Sequence, residues 1–290
     1  MRILITIAHF FKPNNHGKHA SLRKDPRPRL LALSQSLTNL HQLFGKSQSI
    51  INIGQRLAFP ANQLQSYDLD IVICTTQDCH LLDQVSLPSN FYQHHPTQAE
   101  PMLLGFECQA VLWDCLGHYD YYCFLEDDLI LHDPWFFIKL SWFTQQAGDL
   151  SLLQPNRYEV SIHGLSNKAY IDGDLNPRVT ARFQNVNEQP ELKGKVLGMP
   201  VTFSRTLNPH SGCFFLNANQ MTYWAKQPYF LDRDTSFVGP LESAASLGIM
   251  KTFRVYKIAS EQANFLEIQH FGTGFLSLIG KQVALSSSYF

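Results

Sequence analysis

The most informative stretch of this sequence covers residues 121–137 and reads YYCFLEDDLILHDPWFF. Its apolar and aromatic residues indicate a buried strand, yet three consecutive acids, Glu126, Asp127 and Asp128, follow directly. Acidic side chains are rarely fully buried unless they are paired or bind a cation. Carboxylates that converge at a strand end suit Mg²⁺ or Mn²⁺, which also bind substrate phosphates. A solvated acidic turn is the alternative interpretation.

Strands and helices alternate around this stretch. We predict strands over residues 2–8, 67–75 and 121–125, and helices over residues 29–44, 100–117 and 135–146. This alternation predicts an α/β fold with a mixed, mostly parallel sheet flanked by helices. Ligands of such sheets bind outside the carboxyl ends of the strands. His9, Thr75 and Thr76 follow predicted strand ends, as the acids do, so we expect all of them at one site.

The second half of the chain is less regular. We predict three short strands there, at residues 149–154, 213–216 and 253–258. One helix is predicted at residues 240–247. Residues 9–28 and most of 156–209 are predicted to be loops. Because no repeat or low-complexity linker divides the sequence, we predict a single composite domain over residues 1–290.

The composition narrows the class of protein. Lys plus Arg number 23 and Asp plus Glu number 24, and this balance argues against a nucleic-acid partner. The six cysteines form no CxxC pair, which is typical of reduced, buried thiols in a cytosolic protein. No apolar run reaches the roughly 18 residues of a membrane-spanning helix. A cytoplasmic location is therefore expected.

The acidic stretch resembles the DxD-type motif of GT-A glycosyltransferases, with Glu126 in place of the first acid. The resemblance implies a GT-A-like fold, with a nucleotide-sugar-binding half at residues 1–150 and an acceptor-side half at residues 151–290. It implies that Asp128 is the direct ligand of a divalent metal, Mn²⁺ or Mg²⁺, on the diphosphate of the donor. Glu126 is expected near the ribose or the metal, and Asp127 beside the donor.

Three further segments match the family in the expected order. His270, in the tail segment HFGTGF, is implied to be a second metal ligand, and an imidazole ligand favours Mn²⁺. Glu242, in FVGPLESAASLG, matches a general base at the start of a helix, although the helix dipole alone also favours an acid there. Ser211 and Gly212, in NPHSGCFFLN, are expected beside the donor sugar.

The resemblance also implies a region that binds the base and ribose at the ends of the first two strands. Its expected members are Thr6, Ala8, His9, Thr75 and Thr76. Arg29 is expected to reach the diphosphate of the donor, because a guanidinium group pairs well with phosphate. Two other arginines of the N-terminal loop, Arg23 and Arg27, are expected to be solvated.

These motifs predict a metal-dependent glycosyltransferase of the hexosyltransferase type that serves polysaccharide biosynthesis. It would move a sugar from a UDP- or GDP-sugar to a hydroxyl group of a glycan or a lipid-linked acceptor, and the latter would bring peripheral membrane contact. A nucleotidyltransferase is the nearest alternative, although the segment HFFKPNNHGKH shows no clear phosphate loop. An inactive nucleotide-sugar-binding protein and a metal-dependent hydrolase are further alternatives.

Overall fold

The computed structural model describes most of the chain, namely residues 1–14, 20–65, 67–88 and 90–286. The N-terminal segment that we considered as a phosphate loop therefore lies partly outside the described residues. The described cysteines are all free, as expected for reduced thiols. None of the described helices is long and apolar enough to cross a membrane.

The described residues form fifteen strands and six helices, numbered here in chain order. The strands are β1 (Arg2–Ala8), β2 (Ser49–Asn52), β3 (Leu57–Pro60), β4 (Asp68–Thr76), β5 (Gln93–Thr97), β6 (Tyr121–Glu126), β7 (Leu129–Ile130), β8 (Ser151–Leu153), β9 (Asn156–Val160), β10 (Lys168–Tyr170), β11 (Glu191–Val196), β12 (Met199–Arg205), β13 (Cys213–Asn217), β14 (Arg254–Ile258) and β15 (Glu267–His270). The helices are α1 (Arg27–Phe44), α2 (Leu104–Asp114), α3 (Phe136–Ala147), α4 (Pro177–Thr180), α5 (Ala218–Ala225) and α6 (Pro240–Thr252).

The main sheet has five strands in the order β13-β6-β1-β4-β5. Strands β6, β1, β4 and β5 are parallel, and β13 is antiparallel to β6. Strands β4 and β5, which follow β1 in the chain, lie on one side of β1 in the sheet. Strand β6, which comes next, lies on the other side of β1. The strand order therefore reverses between β1 and β6, and such a reversal is where open α/β sheets bind ligands. The predicted mixed, mostly parallel sheet is confirmed.

Both faces of the main sheet are buried. Ile3, Ile5 and Ile7 of β1 pack into one core with α1 and α3, and Leu4 packs into a second core with α2, α5 and α6. Burial on both faces explains why β1 is almost continuously apolar rather than alternating. Each such side chain contributes about 1.5–3 kcal/mol relative to exposure.

The second half of the chain contains more strand than the sequence predicted. Two four-stranded sheets, β10-β9-β15-β7 and β11-β12-β14-β8, occupy much of the region that we expected to be loop. Strand β15 pairs with β7, which directly follows the acidic residues. The tail of the chain is therefore brought to the carboxyl end of β6.

Candidate functional site

The three acids lie at the reversal point of the main sheet. Glu126 ends β6 opposite Ala8 of β1, and Asp127 and Asp128 form the short connection to β7. The side chain of Asp127 is 0% exposed, whereas those of Asp128 and Glu126 are 16% and 24% exposed. Only Glu126 and Asp128 can therefore meet a ligand without rearrangement of the chain.

Asp127 supports the site from the interior of the protein. The backbone N–H of Leu81 donates to His9 Nε2 over 3.0 Å, so the proton of His9 lies on Nδ1. This Nδ1–H donates to Asp127 Oδ2 over 2.5 Å, and the second oxygen of Asp127 is paired with Arg29. Both His9 and Asp127 were expected to contact a donor, but the structure places them in the interior, where they hold Arg29.

Arg29 is a fixed cation within the acidic cluster. It projects from the first turn of α1, and its NH1 group donates to Asp128 Oδ2 over 2.8 Å. Burial opposes its charge, but Asp127, Asp128 and Glu126 outweigh this effect and raise the pKa of Arg29 above its ordinary value. The structure thus brings Arg29 to the acids, and its contact with a diphosphate stays a prediction.

His270 also reaches the acidic cluster. It pairs with Leu129 across β15 and β7, and the next residue, Phe271, donates its N–H to the carbonyl of Asp128 over 2.8 Å. His270 Nε2 lies 3.8 Å from Asp128 Oδ2. Two residues that are far apart in the sequence are therefore adjacent in the fold, as the resemblance implied.

Glu159, which sequence reasoning missed, orients His270. It is fully buried on β9, and its Oε1 accepts a hydrogen bond of 2.9 Å from His270 Nδ1. Its Oε2 accepts the N–H groups of Phe275 and Leu276 over 2.9 Å and 2.7 Å. Because an ionised carboxylate only accepts hydrogen bonds, Nδ1 must carry a proton, and Nε2 is left facing Asp128. A carboxylate behind a histidine is the usual support of a metal-binding imidazole.

The acids differ in their affinity for protons. Burial first, and the charge of Asp128 second, raise the pKa of Glu126 to about 7. Burial opposes ionisation of Asp128 as well, but Arg29, His270 and Arg157 hold its pKa below the ordinary value. Asp128 is therefore the permanently charged member of the pair.

A second buried network adjoins Glu126 and was not predicted from the sequence. Arg157 NH1 lies 3.9 Å from Glu126 Oε2, while its Nε and NH2 groups donate to Asp172 over 2.9 Å and 2.8 Å. Lys257 donates to the other oxygen of Asp172 over 3.0 Å and to the carbonyl of His210 over 3.0 Å. Burial and the positive charge of Arg157 lower the pKa of His210 to about 3, so this imidazole adds no charge at neutral pH.

The charges of the two networks fit a divalent cation. Five carboxyl groups face three arginine or lysine side chains, which leaves an excess of two negative charges when Glu126 is ionised and the histidines are neutral, the state that a bound cation would favour. The carboxylates are Glu126, Asp127, Asp128, Glu159 and Asp172, and the cations are Arg29, Arg157 and Lys257. Asp128 Oδ1 is buried and has no hydrogen-bond partner among the described residues.

The number of metal-binding side chains is small. Across the described part of the chain, no group of three or more His, Cys, Asp or Glu residues is arranged to hold a metal. Mg²⁺ and Mn²⁺ sites commonly use one or two protein ligands and complete their coordination with water and substrate phosphates. Asp128 and His270 fit such a site, whereas Glu126 faces Arg157 and Gly212.

The predicted sugar-side residues lie next to Glu126. Gly212 has a φ of +63°, and a Cβ atom there would lie 2.5 Å from Glu126 Oε2. Its carbonyl accepts the N–H of Glu126 over 2.9 Å. Ser211 is buried, and its hydroxyl donates to the carbonyl of Pro155 over 2.9 Å. Gly212 thus borders the acids, whereas the hydroxyl of Ser211 is already used inside the protein.

Most residues expected at the base and ribose are buried. Thr6 donates to a backbone carbonyl of β6 over 3.1 Å, Thr75 pairs with His94 over 2.7 Å, and Thr76 donates to a nearby carbonyl. All three threonine side chains are fully buried. Ala8 is half-buried and lies beside Glu126 at the strand end. Of this group, Ala8 lies beside Glu126, and His9 contacts Asp127 from the interior of the protein.

Glu242 lies in the first turn of α6 and is half-buried. Ser246 lies one turn further along α6 on the same face, and its hydroxyl is 3.2 Å from His210 Nδ1. Helix α6 therefore borders the Arg157 network rather than the acids themselves. The role of Glu242 as a general base stays a prediction.

The contact between Gly212 and Glu126 gives the first testable expectation. We expect Gly212→Ala to lower the free energy of unfolding by about 1–3 kcal/mol, because the new methyl group clashes with a carboxylate at a strained φ. Urea unfolding would measure the change. Gly173→Ala is the matched control, since an added Cβ there meets no atom within 4 Å. Equal stability of the two variants would contradict the expectation.

The fold and the site together define an α/β protein with acidic residues at the reversal point of its main sheet. No protein-family model matches the sequence, and no curated protein matches it significantly. Solved structures of similar fold include S. aureus TarS (11% identity, TM-score 0.47), which matches 94% of this chain. This chain spans only 37% of that TarS chain.

Two other similar structures are a xylosyltransferase and a synthetase. Mouse xyloside xylosyltransferase 1 in its apo form has 12% identity and a TM-score of 0.42, over 93% of this chain and 97% of that one. CMP:2-keto-3-deoxy-manno-octonic acid synthetase with CTP has 9% identity and a TM-score of 0.37, over 89% and 90%. These are likenesses of fold alone, and no inference about substrate or reaction rests on them.

Proposed function

We propose that the protein is a metal-dependent glycosyltransferase that uses a nucleoside diphosphate sugar. The observation that carries the proposal is the arrangement of Asp128 and His270 at the reversal point of the sheet. Asp128 is charged and has a buried oxygen without a described partner, and Glu159 orients the imidazole of His270 towards it. Mn²⁺ or Mg²⁺ held by these two residues would act as a Lewis acid on the departing diphosphate.

The protein's own residues prepare this site before a donor binds. Arg29 and Arg157 fix the acids in place, so little charge needs to reorganise during the reaction. The guanidinium group of Arg29, which pairs with Asp127 and Asp128, would place a positive charge near the diphosphate of the donor. Gly212 lets the chain pass close to Glu126, which favours this segment as the place of the donor sugar.

Fewer contacts support the proposed acceptor side of the site. Glu242 would remove the proton of the attacking hydroxyl, because it stands in the first turn of a helix that borders the Arg157 network. The donor would be a UDP- or GDP-sugar, and the acceptor a glycan or a lipid-linked glycan. A hexosyltransferase that serves polysaccharide biosynthesis would fit these requirements.

Thermal unfolding with nucleotides and metal tests the proposal. We expect UDP, GDP or their sugars, at about 100 times their dissociation constant, to raise the melting temperature by about 5 °C when Mn²⁺ is present. Without Mn²⁺ the increase should be smaller. Asp128→Ala should remove the metal-dependent part. Asp133→Ala is the control, because Asp133 belongs to the same sequence stretch but pairs with Lys139. Absence of any metal-dependent shift would contradict the proposal.

Product analysis then separates the alternatives. A glycosyltransferase releases nucleoside diphosphate in proportion to the sugar that it transfers to the acceptor. Free sugar without an acceptor would indicate a hydrolase, and diphosphate release from a nucleoside triphosphate and a sugar phosphate would indicate a nucleotidyltransferase. Metal-dependent binding without turnover would indicate an inactive nucleotide-sugar-binding protein.

A further inference from the structure

The hairpin formed by β2 and β3, residues 49–60, stands apart from the three larger sheets. It follows the end of α1, and all residues of both strands are exposed. An isolated two-stranded hairpin is marginally stable in water. Apolar side chains that remain exposed on such an element point to a surface that something else covers.

Both faces of this hairpin are apolar. Ile50 pairs with Phe59 and Ile51 pairs with Ala58, and successive residues of a strand point to opposite faces. Ile50 and Phe59 therefore share one face, while Ile51, which is 69% exposed, lies on the other. Ile53 in the connecting turn is 79% exposed. A protein that docked on one face would leave the other face in water, whereas lipid can surround both.

The charged residues in the sequence segment around the hairpin are all positive. No Asp or Glu occurs in the 42 residues between Asp25 and Asp68. Arg56 lies in the exposed turn beside Ile53, and Lys46 at the base of the hairpin shares an exposed ion pair with Asp68. An apolar tip with a cation and without acids is complementary to the anionic surface of a membrane.

We infer that the hairpin of residues 49–60 inserts into the headgroup region of a membrane that contains anionic lipids. Its isoleucine and phenylalanine side chains enter the boundary of the acyl chains, as apolar residues of interfacial segments do. The outer edges of the two strands have unpaired backbone groups, which must keep contact with water or headgroups. Insertion therefore stops at the interface.

The hairpin and the acidic cluster lie at opposite ends of α1. Helix α1 brings Arg29 to the acids with its first turn, and its last turn leads into the hairpin. A helix of 18 residues is about 27 Å long.

Vesicle flotation of the full chain tests the inference. We expect binding to phosphatidylcholine vesicles with about one third phosphatidylglycerol to be about tenfold stronger than binding to pure phosphatidylcholine. The double variant Ile51→Ser, Ile53→Ser should bind about tenfold or more weakly to both kinds of vesicle, since two exposed apolar groups are lost. Arg56→Gln should weaken only the anionic binding, by about fivefold.

Ile162→Ser is the matched control, because Ile162 is 89% exposed on a different loop. Unchanged binding of this variant supports the assignment to the hairpin, and an equal loss overturns it. No binding of the unaltered chain to either vesicle also overturns it. A dimer that the hairpin variant abolishes, without vesicle binding, would assign the surface to a second copy of the chain. Nucleotide binding by each variant is measured separately, so failure of this inference is distinct from failure of the proposed function.

Discussion

Asp172→Asn is expected to lower the free energy of unfolding by about 3–5 kcal/mol, because it breaks a buried ion network by removal of one partner. The Asp172 side chain is only 2% exposed and is the acid that Arg157 and Lys257 share. Asparagine keeps the shape of the side chain but not its charge, so two buried cations lose their counterion. Urea unfolding at neutral pH would measure the loss.

The effect of this substitution should depend on pH. Burial opposes the charge of Asp172, but Lys257 and Arg157 hold its pKa well below the ordinary value. Above the unfolded pKa of about 4, both states are ionised and the full stabilisation is present. Below it, the unfolded chain binds a proton that the folded carboxylate does not, so the stabilisation falls as the pH falls towards the folded pKa. The two unfolding curves should therefore converge in acid.

Glu188→Gln provides the control for Asp172. Glu188 also pairs with an arginine, Arg254, but over 3.4 Å and with an exposed carboxylate. Exposed pairs contribute little, so we expect a change of about 0.5 kcal/mol or less. A loss for Asp172→Asn as small as that of the control would show that the buried network does not hold the second half of the chain together.

The main sheet and the position of the acids were predictable because they follow from local patterns. Continuous apolar runs fixed β1, β4 and β6, and their parallel arrangement placed all strand ends on one edge. His270 could be placed near Asp128 only through a resemblance, since the pairing of β15 with β7 joins residues far apart in the sequence. Long-range pairings of short strands leave little local signal.

The side-chain partners were less predictable than the strand ends. His9 and Thr75 do lie at the ends of β1 and β4, but the strand-end rule does not tell which polar atoms are already bonded within the protein. Glu159 and Arg157 did leave a signal, because they are two residues apart in NRYEV and thus share one face of β9. Two opposite charges on the same face of a strand indicate a polar network. Lys257 in RVYKI is a different signal, a single cation within an otherwise buried strand.

The second large effect is expected for Glu159→Gln, which should weaken metal binding by about 10–100-fold without unfolding the protein. In the native protein one oxygen of Glu159 accepts from His270 Nδ1 and the other accepts two backbone N–H groups. A glutamine side chain has only one accepting oxygen, so its amide group must face a donor on one side. Either the imidazole of His270 loses its support, or the segment of Phe275 and Leu276 does.

The measurement is a titration with Mn²⁺ at fixed nucleotide, read as the metal concentration that gives half of the thermal stabilisation. Glu267→Gln is the control, because Glu267 lies on the same strand as His270 but bonds to Lys168 and Tyr170. Asp128→Asn should abolish the metal-dependent stabilisation, whereas Glu159→Gln should shift its midpoint. Glu159 acts on the site through the imidazole of His270. If Asp128→Asn abolishes the stabilisation but Glu159→Gln leaves its midpoint unchanged, the metal binds to Asp128 without His270.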